Sequence, residues 1–462
     1  MTASSSTFAG FVLAESRRLL HLSLPMMVAQ SGLVVMGLVD TWCVGRVSKE
    51  DMAGVALGTS LSMLFVVVAI GVAMGLEPLI AQAHGAGEYA RTRAWRIQGL
   101  WVVGAIGVAA TVACVGLGAL VPWSGRAPGF ETQTRDYMWA RAPAALLSAL
   151  YSVYRCHLSS VGRPGPALLA IVVANLVNLA CDLLFVFTFD WGATGVGMAT
   201  SLSSATMLVI CAAAIPDRRV SAKLAPVRAD MAQILGLGIP IALQVSAEMG
   251  IFSAVAALIA LSGPVALAGH QVAINLASLA FMAAAGIAVA GTARVGHHVG
   301  AGESPLARQA GFLAVGFGVV FMASAGLVFF LAAEPIAAAF APAEVEVRAL
   351  AARLLRIAAA FAIFDGVQAV AAGILRGLGD TKSPLVANLF AYLVVGFPVA
   401  IYLGWGRDWG AAGYWWGLTA GLATVASLLL YAFHRESLRP VQRVEAPRTD
   451  GTPGPEPISS TS

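Results

Sequence analysis

Four carboxylates lie deep inside long apolar segments of the sequence, where a charged side chain is costly: Asp40, Asp182, Glu248 and Asp365. An ionisable group at the centre of a membrane helix costs about 2.5–3.5 kcal/mol on insertion scales. We therefore predict that all four face the protein interior, where they meet water, an ion or one another. Burial favours the neutral form of a carboxyl group, whereas a cation that arrives nearby favours the charged form. Competition between an organic cation and a proton or Na⁺ for such groups is sufficient for exchange.

In the first half of the chain, two amides and a carboxylate share one face of a predicted helix. Asn175, Asn178 and Asp182 are spaced i, i+3 and i+7, which places them on one stripe. Their oxygens are hard acceptors that suit Na⁺ or a protonated carboxyl group in a hydrogen-bond network. Asp40 and Thr200 complete this predicted coupling site, in which Asp40, Asn178 and Asp182 are the candidate Na⁺ ligands. The alternative is that these groups only join neighbouring helices by hydrogen bonds.

The second half of the chain carries a different polar set. Glu248 and Asp365 are predicted near the middle of the membrane, with Gln271 and Gln368 as polar partners. We expect these four residues to bind the organic cation, and the two acids also to take part in cation or proton coupling. The alternative is a buried carboxyl group that stays neutral and has only a structural role.

Long apolar helices must position these groups. The chain of 462 residues is 58% hydrophobic and only 11% charged, whereas soluble domains carry roughly 25% charged residues. Apolar stretches of about 20 residues are long enough to cross a membrane as helices. The sequence therefore predicts an all-α membrane protein. We predict twelve spans, at residues 23–45, 53–82, 97–121, 137–160, 165–188, 192–214, 234–262, 265–295, 309–333, 347–375, 383–405 and 410–434.

The two halves of the chain repeat one another, which predicts two lobes of six helices. Short strings recur at an offset of 215 residues, drifting to 218 near the end of each half. Because each half has an even number of spans, both halves start on the same side of the membrane. In transporters with this arrangement a substrate site is expected between the halves. The matching strings are Leu24-Pro25 with Ile239-Pro240, Gly71 with Gly286, Gly85–Glu88 with Gly300–Glu303, and Trp191–Ala193 with Trp409–Ala411.

Domain boundaries follow from the repeat. We predict a polar N-terminus at 1–16, an N-lobe of spans one to six at 17–214 and an inter-lobe loop at 215–232. A C-lobe of spans seven to twelve follows at 233–434, and residues 435–462 are predicted to be a disordered tail because they hold few large apolar residues.

The distribution of Lys and Arg predicts the orientation. Cytoplasmic ends of membrane helices carry an excess of basic residues. Both termini and the even-numbered connections hold 19 of the 28 basic residues. We therefore expect both termini in the cytoplasm and, for a bacterial protein, a multi-pass location in the inner membrane. The 19 residues are Arg17, Arg18, Arg91, Arg93, Arg96, Arg155, Arg163, Arg218, Arg219, Lys223, Arg228, Arg294, Arg308, Arg376, Lys382, Arg435, Arg439, Arg443 and Arg448.

Other functions have little support in the sequence. The five cysteines have no CxxC spacing, so we expect neither a metal centre nor a disulfide framework. The net charge of +4 is not gathered in a basic stripe with aromatic residues, which argues against a nucleic-acid partner. No nucleophile–base set or HExxH motif indicates an enzyme. We expect a monomer with membrane lipids around it and no cofactor besides the coupling ion.

Several stretches together resemble the MATE (multidrug and toxic compound extrusion) family, most closely its bacterial NorM-type members. The resemblance runs over about residues 20–434. It implies a V-shaped protein of twelve helices that exports cationic, amphiphilic compounds with Na⁺ or H⁺ as the driving ion. The stretches are LSLPMMVAQSGLVVMGLVDTWCVGRVS, GLEPLIAQAHGAGE, AGHQVAINLASLAFMAAAGIAVAGTARVGHHVGAGE and FDGVQAVAAGILRGLGDTKSP.

The resemblance also implies roles for individual residues. Asp40 matches the acid of the family's first helix, and Asn178 and Asp182 resemble its cation site in the N-lobe. Glu248 and Asp365 resemble the acids of its C-lobe. A second possibility from the wider superfamily is a flippase for a lipid or a lipid-linked oligosaccharide. Anionic headgroups would require a cavity lined by Arg or Lys, whereas the deep charges here are acidic, which favours cationic cargo.

Overall fold

The described chain is helical along almost its whole length. The computed structural model describes residues 2–124, 129–215, 225–440 and 442–444, and within these ranges it contains helices and turns but no strand. In the first half the helices are α1 (Thr2–Val44), α2 (Lys49–Met74), α3 (Leu76–Gly85), α4 (Tyr89–Leu120), α5 (Glu131–Ser160), α6 (Gly165–Asp182) and α7 (Gly192–Ala213). In the second half they are α8 (Arg228–Leu261), α9 (Pro264–Gly300), α10 (Ser304–Leu331), α11 (Ala333–Phe340), α12 (Val345–Leu378), α13 (Lys382–Phe390), α14 (Phe397–Ile401) and α15 (Ala411–Glu436).

Three π-helical segments interrupt or extend these helices. Leu183–Thr188 continues α6, while Ala391–Gly396 and Tyr402–Gly406 flank α14. One predicted span of the C-lobe is therefore built from α13, α14 and two π-helical segments. Such segments rotate the side chains that follow them relative to a regular α-helix, and they are frequent at functional sites.

The predicted membrane helices are confirmed. Within the described ranges, eleven helices are long and apolar enough to cross a membrane. The fourth predicted span corresponds to α5, whose 30 residues are also sufficient to cross. This helix is less apolar because it packs against α2, α4 and α7 and carries polar side chains on its buried face.

Two predicted boundaries differ from the structure. Residues 2–16 are not a separate polar segment, because they form the first turns of α1. Residues 442–444 are packed, although the sequence predicted a disordered tail from 435. The backbone N–H of Val444 donates to Gln82 Oε1 at 2.8 Å, and Arg443 pairs with Glu88 at 2.8 Å. Residues 445–462 of that tail and residues 216–224 of the inter-lobe loop lie outside the described residues.

The two lobes cross-pack in a symmetric way. The N-lobe comprises α1–α7 and the C-lobe α8–α15; α1 packs against α9, and α2 packs against α8. The repeated glycines form the crossing points. A Cβ atom on Gly71 would lie 2.5 Å from the Cα of Ala242, and one on Gly286 would overlap the backbone of Met27. Both pairs match at the offset of 215 residues, so the sequence repeat corresponds to a structural one.

Polar contacts join the lobes at the end of the bundle that carries both termini, here called the termini end. Gly85 and Gly300 lie there against His297 and Gln82 of the opposite lobe, again as an equivalent pair. Among the described residues, inter-lobe pairs between Arg and acidic side chains accompany them, so the lobes are held together at this end. The pairs are Glu15 with Arg294 at 2.6 Å, Arg91 with Asp230 at 2.7 Å and Glu77 with Arg376 at 4.0 Å.

The packing of Gly286 predicts a change in stability. Gly286→Ala should lower the thermal unfolding midpoint, because overpacking costs about 1–3 kcal/mol and exceeds the helix-propensity gain of about 1 kcal/mol. Gly316→Ala is the matched control, since no heavy atom lies within 4 Å of its added Cβ. Thermal unfolding in detergent should show a lower midpoint for the first variant only. A midpoint for Gly286→Ala equal to or above that of the control would contradict the tight crossing.

Candidate functional site

Three helices of the N-lobe converge on Asp40. Its Oδ1 accepts a hydrogen bond from Asn178 Nδ2 of α6 at 2.9 Å, and its Oδ2 lies 3.2 Å from the hydroxyl of Thr200 on α7. The close approach of α1 and α6 at Gly32 allows this, because a Cβ on Gly32 would lie 2.6 Å from Ile171. Asp182 is fully buried and faces the Asp40 carboxyl group. The structure thus brings together four of the predicted coupling residues.

Buried acceptor oxygens in this cluster lack donors. Among the described residues, Asn178 Oδ1 and both carboxylate oxygens of Asp182 have no hydrogen-bond partner. An unpaired buried oxygen is costly, and two carboxylates in contact repel one another unless a positive charge is shared between them. Hard oxygens of this kind fit either a proton or a small cation such as Na⁺. The candidate Na⁺ ligands Asp40, Asn178 and Asp182 therefore have suitable chemistry.

Asn175 does not belong to this cluster, although the sequence predicted it there. Its amide Nδ2 donates to the backbone oxygens of Gly32 at 3.1 Å and Ile171 at 2.8 Å. The side chain joins α6 to α1 and has no contact with Asp40 or Asp182 among the described hydrogen bonds. Asn175 is spaced i, i+3 from Asn178, as predicted. Its amide hydrogen-bonds to the backbone of α1 rather than to the acids.

A basic residue near the N-lobe acids was missed. Arg141 of α5 donates to the hydroxyl of Tyr137 and lies 3.4 Å from the hydroxyl of Thr59, and its charge acts on Asp40. The sequence placed Arg141 near the edge of a span. Tyr137, Thr59 and Arg141 instead form a polar chain inside the lobe, which gives the N-lobe a fixed positive charge.

The C-lobe holds the second acidic set. Gln368 Nε2 of α12 lies 3.4 Å from Glu248 Oε2 of α8, and Asp365 lies close enough to Glu248 for their charges to interact. Asp365 is buried, whereas Glu248 is partly exposed. Each acidic set takes its described partners from its own lobe.

Two further polar residues accompany these acids. Asn388 of α13 is buried against Glu248, and the hydroxyl of Tyr392 is buried beside both acids. In the described residues, neither the Asn388 amide nor this hydroxyl has a partner of good geometry. Asn388 could have been found by the argument that selected Asn178, because it is also an amide within an apolar span. The sequence does not mark Tyr392 as unusual in this way, since tyrosines are common in membrane helices.

Gln271 was wrongly predicted as a partner of the C-lobe acids. It is exposed on α9, and its Nε2 donates to Asn275 Oδ1 of the same helix at 3.2 Å. Its neighbour His270 points the other way, where its Nδ1 accepts a hydrogen bond from the buried indole of Trp415 at 3.1 Å. Sequence position alone could not decide which face of α9 packs against α12.

Comparison with known proteins identifies the family of this chain. The MatE family profile matches residues 25–184 and 240–402, one match in each lobe. The chain belongs to the MatE family. A probable multidrug resistance protein NorM from Pseudomonas aeruginosa is 34% identical over 450 residues, covering 94% of this chain and 92% of the relative. One from Mesorhizobium japonicum is 36% identical over 437 residues, covering 90% and 93%.

Solved structures support the fold of this MatE protein. The eukaryotic MATE transporter AtDTX14 superposes with a TM-score of 0.83 at 22% identity, covering 94% of this chain and 100% of that one. A MATE in the straight conformation gives 0.85 at 21% identity, covering 92% and 96%. This MatE protein is therefore a multi-pass membrane protein with the V-shaped arrangement of two lobes.

The pair of asparagines on α6 provides a matched test of the N-lobe cluster. Asn178→Ala removes the donor to Asp40, whereas Asn175→Ala removes donors to the backbone of α1 and α6; each variant also removes an unpartnered oxygen among the described residues. Hydrogen bonds to charged groups contribute about 1.5–3 kcal/mol. We therefore expect Asn178→Ala to lower cation-driven transport roughly tenfold or more in proteoliposomes, and Asn175→Ala to retain most of it. The reverse ranking would remove Asn178 from the site.

Proposed function

We propose that this MatE protein exports cationic, amphiphilic compounds in exchange for Na⁺ or H⁺ by alternating access. The observation that carries the proposal is the presence of a separate acidic set in each lobe, with Asp40, Asp182 and Asp365 buried and Glu248 partly exposed. A positive guest can offset negative charge in each set, and release of one guest favours entry of the other. The relatives described as multidrug resistance protein NorM support drug export as the activity.

The two sets differ in charge, which suggests a division of roles. In the N-lobe, Arg141 offsets part of the charge of Asp40. The remaining negative charge can be balanced by one small cation or one proton. In the C-lobe, Asp365 lies about 16 Å along α12 from Arg376, whose nearest described carboxylate is Glu77 and whose charge also acts on Glu248. We assign coupling chiefly to the N-lobe and the organic cation to Glu248, Asp365 and Gln368, with Asn388 and Tyr392 added.

The acidic side chains also favour a cationic cargo over an anionic lipid headgroup. A flippase for lipid-linked oligosaccharides would need basic side chains facing its cargo. In the described C-lobe set the ionisable groups are two carboxylic acids and a phenol. We further propose a monomer that needs no cofactor besides the coupling ion.

The first test removes charge from the C-lobe. Asp365→Asn and Glu248→Gln should each abolish the drug resistance that the protein confers on a pump-deficient host, because the neutral side chains no longer attract a cation. Glu344→Gln, an exposed acid at the start of α12, should keep resistance. Ethidium efflux from proteoliposomes under an imposed Na⁺ gradient, and then under a pH gradient, identifies the driving ion. Full resistance in both acid variants at normal expression would refute the mechanism.

We also propose that the termini end faces the cytoplasm of a bacterial cell, in its inner membrane. The excess of basic residues at this end supports it. A green fluorescent protein fused to the C-terminus should fluoresce, and alkaline phosphatase fused at the same point should be inactive, because each folds on only one side of that membrane. An active phosphatase fusion would reverse the orientation.

A further inference from the structure

A basic cleft lies at the termini end, away from both acidic sets. Its volume is about 380 Å³. Five of its seven lining residues are arginine or histidine, and none of the seven is acidic. The lining residues are Arg17, Arg18, His21, Leu22, Gly162, Arg294 and His297.

Buried contacts fix the floor of this cleft. Arg294 of α9 is only 9% exposed. Its Nε and Nη2 donate to the two carboxylate oxygens of Glu15 at 2.6 and 2.7 Å, and its Nη1 lies 3.2 Å from His297 Nδ1. His297 Nε2 is in turn 2.6 Å from the backbone oxygen of Ser160. The guanidinium is therefore held in place before any ligand arrives.

The cleft carries more positive charge than its surroundings compensate. Arg17 and Arg18 are exposed on α1, and the nearest described carboxylate of Arg18 is Glu15 at 3.9 Å. Glu15 is already engaged by Arg294. Among the described residues, Glu15 is the one carboxylate at ion-pair distance from these arginines, so two positive charges are uncompensated there before either histidine is protonated. The exposed guanidinium groups of Arg17 and Arg18 suit a phosphate group, because each offers several donors in a plane. Arg294 adds its positive charge and the one N–H of Nη1 that has no described partner.

An apolar stripe continues from the cleft into the membrane-spanning part of α1. Arg17, His21, Leu24 and Val28 are spaced i, i+4, i+7 and i+11, so they share one face of the helix. Leu24 is 55% exposed and Val28 is 53% exposed. On a membrane helix such residues face lipid chains. The basic end and the apolar stripe together match an amphiphile with an anionic head.

We propose that this cleft binds the phosphate group of an anionic membrane lipid. Arg294 forms the floor, Arg17 and Arg18 close on the phosphate from α1, and an acyl chain lies along Leu24 and Val28. Since α1 belongs to the N-lobe and α9 to the C-lobe, the bound headgroup bridges the two lobes. The site is independent of the proposed export activity and of both acidic sets.

Titration of the full-length protein with lipids tests this proposal. Delipidated protein in detergent is titrated with phosphatidylglycerol or phosphatidylcholine, and bound lipid is counted by native mass spectrometry. We expect tighter binding of phosphatidylglycerol. The double variant Arg17→Gln/Arg18→Gln should weaken that binding about tenfold and leave phosphatidylcholine binding unchanged. Added inorganic phosphate should not displace the lipid, because it lacks the acyl chains.

A second double variant controls for net charge. Arg228→Gln/Lys382→Gln also removes two exposed positive charges at the termini end but lies outside the cleft, and it should bind phosphatidylglycerol like the parent protein. Thermal unfolding midpoints confirm that both variants are folded. Equal weakening in the two double variants, or none in the first, would overturn the site. Displacement of the lipid by inorganic phosphate would overturn the lipid as its ligand and assign the cleft to a soluble phosphate.

Discussion

A carboxylate in an apolar interior must share its charge with a positive partner, and the organisation of both lobes follows from this constraint. In the N-lobe the partners are Asn178, Thr200 and the nearby Arg141, yet Asp182 is left without a donor among the described residues. In the C-lobe Glu248 has one weak hydrogen bond to Gln368. Each set is incompletely satisfied by the protein itself. A proton or a bound cation stabilises such an acid, which is the basis of the transport that we propose.

Close helix packing joins the two lobes. Gly71 and Gly286 let the helices of opposite lobes touch at backbone distance, and Gly85 and Gly300 repeat this contact nearer the end. Small residues have this role in membrane proteins because lipid supplies no hydrophobic force between helices. Alternating access requires such contacts to open and re-form. The repeat in the sequence thus corresponds to equivalent contact surfaces on the two lobes.

The local backbone also contributes to the sites. Asp182 directly precedes the π-helical segment Leu183–Thr188, and Tyr392 lies within Ala391–Gly396. A π-helical turn changes the angular position of the residues that follow it. Helical-wheel reasoning with 3.6 residues per turn therefore holds for Asn178 and Asp182 but cannot place Tyr392. The same limit applies to Gln271, whose exposed face depends on which helix packs against α9.

The sequence by itself determined the membrane class, the two repeated lobes and the four acids within apolar spans, because insertion cost and helical period act locally along the chain. It also determined that Asn178 and Asp182 share a face. Only the tertiary structure decided that Asp40 and Thr200 contact one another beside Asn178 and Asp182. It also decided that Asn175 hydrogen-bonds to the backbone of α1. The same holds for Arg141, Asn388 and Tyr392, which lie near the acids. These outcomes depend on which helices pack together and at what rotation. Packing is a property of the whole bundle, and no single span encodes it.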